Sequence, residues 1–131
     1  MTANTVTEWN HFHDWYLDSI SVGPDVESCA LTLGLYFDSK RVAVTFEGVT
    51  CMHLDGFGPQ NIVYSIRPIE PGETNYDATM VALSKAERLV GRKAQKLVFM
   101  YASLGAELAV EFDSLTVRAI SARDMFGGRS D

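Results

Sequence analysis

From Cys29 to Phe37 the chain alternates. Cys29, Leu31, Leu33, Leu35 and Phe37 share one parity, and Thr32 and Gly34 stand on the other. Period-two alternation describes a strand with one face on a core and the other turned outward. Asp38-Ser39-Lys40 offers a short hairpin turn, and Val42, Val44 and Phe46 resume the pattern on a return strand. At Gly48 the parity breaks, and Val49 and Cys51 continue on the opposite phase. A glycine at a parity break marks a bulge or a corner. Turns this short join antiparallel strands, because parallel ones need a long crossover.

The same pattern returns later in the chain. A shift of 66 residues lays 29–54 on 95–120 without a gap, matching Leu31 to Leu97, Ala43 to Ala109, Val44 to Val110, Phe46 to Phe112 and Thr50 to Thr116. The parity break after Phe46 recurs after Phe112. Similar hairpins share such spacing without common ancestry, so the match is read as architecture. Further strands are expected at 15–22, 61–69, 96–103, 106–113 and 115–121. The segment 76–94 is the best helix candidate: Thr74 or Asn75 stands ready as a cap and Asp77 suits the first turn, although 79–83 also fits a strand. On a wheel Met80, Leu83, Ala86, Leu89 and Val90 face one side, and Ser84, Lys85, Arg88 and Arg92 the other. The expected fold is α+β and mainly antiparallel β. Two related strand–hairpin units form a sandwich or a strongly bent sheet with one helix.

A chain of 131 residues suits one domain, spanning 1–131, with flexible ends at 1–8 and 124–131. No apolar run is longer than the six residues from Leu97 to Ala102, too short to span a membrane as a helix. The N-terminus carries Glu8, Asp14 and Asp18 where an export leader would be basic and then apolar. Cys29 and Cys51 do not make a disulfide framework and read as buried thiols, so a reducing, cytoplasmic setting is expected. The net charge of −6 argues against a nucleic-acid surface. Residues 1–66 hold eight acids and two bases, whereas 67–131 hold nine of each. Lys85, Arg88, Arg92, Lys93 and Lys96 crowd together in the second half. The acidic half could meet a basic partner and the basic strip an anion, or both are ordinary solvated surface.

Two constellations bear on function. His11, His13 and Asp14, with His53 and Asp55 elsewhere, offer imidazoles and carboxylates of a kind that divalent metals accept. In an extended segment His11 and His13 would point the same way, and His53 near Asp14 would make an acid–base pair. The alternative is that the His-Asp dipeptide ties down the chain end through backbone hydrogen bonds. The aromatic run Trp9, Phe12, Trp15 and Tyr16 reads either as a partner-binding patch or as a cover over an open end of the core. No Gly-x-Ser-x-Gly, Ser-x-x-Lys or His-Glu-x-x-His is present, and Gly56-Phe57-Gly58-Pro59 is a turn that lacks the residues of a phosphate loop.

Phe12-His13-Asp14 before a first strand, a hairpin, and then Val44, Phe46, Gly48 and Val49 together resemble small bacterial β-rich proteins of unknown function, some of them immunity proteins encoded beside toxins. The resemblance covers residues 9–54. It implies a compact protein that binds a partner and supplies no catalytic residue. The leading expectation is therefore a non-enzymatic cytoplasmic protein-binding domain, such as an immunity-type inhibitor of a basic partner, with no cofactor, membrane or nucleic acid. The alternatives are a metal-binding protein or metal-dependent enzyme using the His11/His13/Asp14 and His53/Asp55 cluster, and a structural homo-oligomer, such as a homodimer, in which an uncovered edge strand or the aromatic patch pairs with a second copy.

Overall fold

The computed structural model describes residues 5–23 and 29–120. The expected flexible tail 124–131 lies outside the described residues. A 3-10 segment, Val6–Phe12, leads into β1 (Tyr16–Gly23), β2 (Ala30–Phe37), β3 (Lys40–Glu47), β4 (Cys51–Asp55) and β5 (Ile62–Ile69). Helix α1 (Tyr76–Ser84) follows, and then β6 (Lys96–Leu104), β7 (Glu107–Phe112) and β8 (Ser114–Ile120). All pairings are antiparallel. Among the described residues no helix is long and apolar enough to cross a membrane.

The eight strands form one sheet in the order β4-β7-β6-β5-β1-β2-β3-β8. Exchanging β1–β4 for β5–β8 returns this order reversed, so the repeat seen in the sequence is a repeat of topology. Each end strand continues a strand from the opposite side of the order. β3 passes into β4 through 48–50, and β7 passes into β8 through Asp113 alone. The sheet is therefore bent round until its two ends are joined by the chain itself. Of the two expected architectures, the bent single sheet is the one observed.

The corners explain the parity breaks. Gly48 sits at φ +67°, and a Cβ there would lie 2.7 Å from Asp113 Cγ. Its lack of a side chain lets the two bent strands cross closely, with Asp113 N–H donating to Glu47 O at 2.9 Å and Thr50 N–H to Glu111 O at 3.0 Å. Inside the bend Phe46 and Phe112, equivalent in the repeat, meet edge to face with centroids 4.9 Å apart. Leu31, Leu33, Leu35, Val42, Val44, Ile66, Met100, Leu108 and Val110 fill the same core. Val6, expected in a frayed end, belongs to it too.

The helix is shorter than the pattern predicts. It ends at Ser84, and 85–95 is irregular. No glycine or proline stops it there. Tertiary bonds win instead: Leu89 N–H donates to Thr50 O at 2.9 Å, and Arg88 turns back to Glu111 on β7. Leu83 consequently packs on the outer face of the sheet with Cys51, Ile69, Leu97 and Ala109, while Leu89 packs against the main core.

Candidate functional site

Strand register sorts the outer face of β5, β6, β7 and β4 into rows, because directly opposed residues share a face. The first row is Ile69, Leu97, Glu111 and Cys51, and the second is Arg67, Phe99, Ala109 and His53; beyond them Ser65 stands opposite Tyr101, and Glu107 opposite Asp55. Helix α1 and the loop after it cover the first row and part of the second. The rest stays open as a cleft of about 200 Å³ between α1 and the sheet.

The floor of the cleft is aromatic, with Phe99 and Tyr101 tilted against each other at 4.6 Å. Asp55 and Glu107 stand directly opposite each other along the far side, and Lys85 lies on the α1 wall. Among the described residues the ion pairs are His13–Asp14, Arg41–Asp18, Arg88–Glu111 and Arg92–Asp113, so neither Asp55 nor Glu107 has a cation within 4.0 Å. Glu107 accepts one hydrogen bond, from Ala102 N–H at 3.2 Å. Burial pushes the Tyr101 phenol up; Arg67 opposes the rise, and Glu107 and Glu73 add to it. The phenol thus remains protonated at neutral pH.

The predicted histidine cluster is divided. His53 and Asp55 line this cleft. His11 and His13 lie in and just after the 3-10 segment, against the edge of β5, where each Nδ1 meets a carbonyl at 3.0 Å: His11 at Ile66 O and His13 at Tyr64 O. His13 Nε2 also lies 3.5 Å from Asp14 Oδ2. These rings take the place of a neighbouring strand along β5, which is the backbone-tying role. The segment is not extended as the sequence suggests. Asn10, His11, Phe12 and Asp14 all have φ between 54° and 71°. Among the described residues no three His, Cys, Asp or Glu side chains gather as a metal ion requires. We expect His11→Ala to cost about 1 kcal/mol, the usual net value of one hydrogen bond, in a urea titration.

The aromatic run resolves mostly into core. Phe12 is fully buried and Trp15 is 7 % exposed. Phe12 stacks on Trp9 at 5.8 Å and meets Trp15 edge-on at 5.2 Å. Tyr16 stacks on Tyr36 at 5.1 Å at the surface. The basic strip is also largely engaged. Arg88 pairs with buried Glu111 at 2.6 Å, and Arg92 with Asp113 at 2.9 Å. Thr50 Oγ1 and Ala94 N–H complete the shell of Glu111. Burial raises the carboxyl, but the bonds from Arg88, Thr50 and Ala94 outweigh it and hold the group below the usual carboxylate range. Cys51 is a free thiol that burial pushes up and that donates to Leu83 O at 3.6 Å.

Phe99, Tyr101 and Glu107 are not legible as site residues, and Lys85 reads only as part of the basic strip. Only the pairing of β4 with β7, strands far apart in sequence, puts Glu107 beside Asp55. Compared with known proteins, the chain matches no family model, no curated protein and no solved structure.

Proposed function

We propose that the protein is a non-enzymatic, cytoplasmic binding module for a basic protein partner, and that an arginine side chain of the partner enters the cleft beside α1. The observation that carries this reading is the opposed pair Asp55 and Glu107 over an aromatic floor, with no cation among the described residues within 4.0 Å of either. Like charges directly opposite on neighbouring strands destabilise a sheet. An arriving guanidinium relieves that repulsion, offers five donors to two carboxylates and stacks on the rings. The surplus of acids supports the reading, since it speeds encounter with a cationic surface. An inhibitor of the immunity type that holds a basic partner would work in this way.

Calorimetric titration with a short arginine-containing peptide tests the proposal. Binding is expected to weaken steeply with added salt and to fall at least tenfold, about 1.4 kcal/mol, in the Asp55→Asn/Glu107→Gln variant. Equal binding of a glutamate-rich peptide, or an unaffected double variant, contradicts it.

A further inference from the structure

Among the described residues the seam between β1 and β5 is sealed on one side only. The two strands share a single pair, Tyr16 with Ile62, and run apart from it in opposite directions. The edge of β5 is covered: Asp14 N–H donates to Val63 O at 2.8 Å, and His13 and His11 meet the next carbonyls along. By the internal symmetry, the loop 56–61 before β5 stands where the 3-10 segment stands before β1. It is shorter. It meets β1 at Leu17, whose N–H donates to Asn61 O at 2.9 Å, and Phe57 lines one pocket with Tyr16, Leu17 and Asp18. From Ser19 to Gly23, β1 pairs with β2 on one edge, and among the described residues no strand pairs with the other.

Among the described residues that edge carries few of the devices that protect a free strand. Its one irregularity is the bulge between Leu17 and Ser19; from Ser19 to Gly23 there is no charge and no proline. Val22 is 56 % exposed although it stands opposite Leu31 on the core side. The segment is also self-complementary. Laid antiparallel on a second copy about Ser21, it sets Ile20 opposite Val22 and Ser19 opposite Gly23, so apolar meets apolar, small meets small, and no like charges meet. We propose that β1 pairs with β1 of a second copy, antiparallel and centred on Ser21, to make one sheet continuous across a homodimer. The contact is isologous. The net charge of −6 on each copy opposes approach, so the dimer is weak and strengthened by salt. This interface uses a different surface from the α1 cleft and stands or falls apart from it.

Sedimentation over a range of concentrations, with and without added salt, reads the mass directly. The expected result is a rise from 14.5 kDa toward twice that value, favoured by salt. Val22→Lys is expected to weaken the dimer at least tenfold. Ser21→Cys tests the register, because the axis through Ser21 brings the two thiols together; mild oxidation is expected to cross-link it and to leave Ser19→Cys monomeric. A monomer at all concentrations overturns the proposal. So does a dimer that survives Val22→Lys without Ser21→Cys cross-linking, or equal cross-linking of both cysteine variants.

Discussion

Replacing Arg88 by alanine is expected to remove about 3 kcal/mol of stability at neutral pH, because it leaves Glu111 charged in a nearly closed site. Glu111 has 4 % side-chain exposure, and its strongest partner is the Arg88 guanidinium, itself 35 % exposed. The loss is not local. Arg88, Leu89 and Ala94 fasten the loop after α1 to β7 and to the bend at Thr50, so the cover over the first outer row loosens with it. The pH dependence identifies the cause. In the native protein the folded carboxyl lies below its ordinary value. Its contribution is therefore present above the ordinary carboxylate range and is lost as pH falls through the lowered folded value. Without Arg88, burial becomes the dominant influence and the carboxyl moves up. Mild acid then protonates it and removes the penalty. Urea denaturation from neutral to acid pH should show the gap between native protein and variant narrowing. A gap that is constant with pH would place the loss in packing instead of charge. Glu111→Gln, which removes the charge but keeps one acceptor oxygen, should cost less than Arg88→Ala.

The second large effect is at Phe12. Phe12→Ala should cost about 3–5 kcal/mol, the range for a fully buried aromatic ring that leaves a cavity. Phe12 is 0 % exposed and sits between Trp9 and Trp15 at φ +59°. A non-glycine residue in the left-handed region costs roughly 1–2 kcal/mol, and here three occur in succession, Asn10, His11 and Phe12. Strong burial, the two histidine contacts and backbone bonds such as Trp15 N–H to Phe12 O at 3.0 Å hold that conformation. Tryptophan fluorescence should shift to the red in Phe12→Ala as Trp9 and Trp15 lose their cover. An unshifted spectrum with full stability would mean that the ring does not cover Trp9 and Trp15.

What the sequence makes legible is what local pattern can carry. The alternation from Cys29 to Phe37, the turn at Asp38 and the parity breaks at Gly48 and after Phe112 all correspond to observed strands and corners. The symmetry of the sheet was readable too, because the two halves repeat the same strand–turn–strand–bend pattern. Long-range demands account for the rest. Arg88 and Arg92 look like the solvent face of a long helix, but their carboxylate partners are on and just after β7, and meeting them ends the helix at Ser84. The histidines look like ligands because spacing cannot show that Tyr64 and Ile66 present carbonyls needing cover. The sequence offers Asp55 as a metal ligand beside His53, but only the pairing of β4 with β7 sets it opposite Glu107, and no local pattern states that pairing.

The most direct test of the binding role is to titrate the isotope-labelled protein with the arginine-containing peptide and follow backbone and aromatic resonances, alongside urea denaturation of Asp55→Asn. The account predicts shifts concentrated at Asp55, Phe99, Tyr101 and Glu107. It also predicts an Asp55→Asn variant that binds less tightly yet folds more stably by roughly 0.2–1 kcal/mol, since a like-charge pair has been removed. Shifts that avoid the cleft, or an Asp55→Asn variant that is less stable and binds as before, would contradict it.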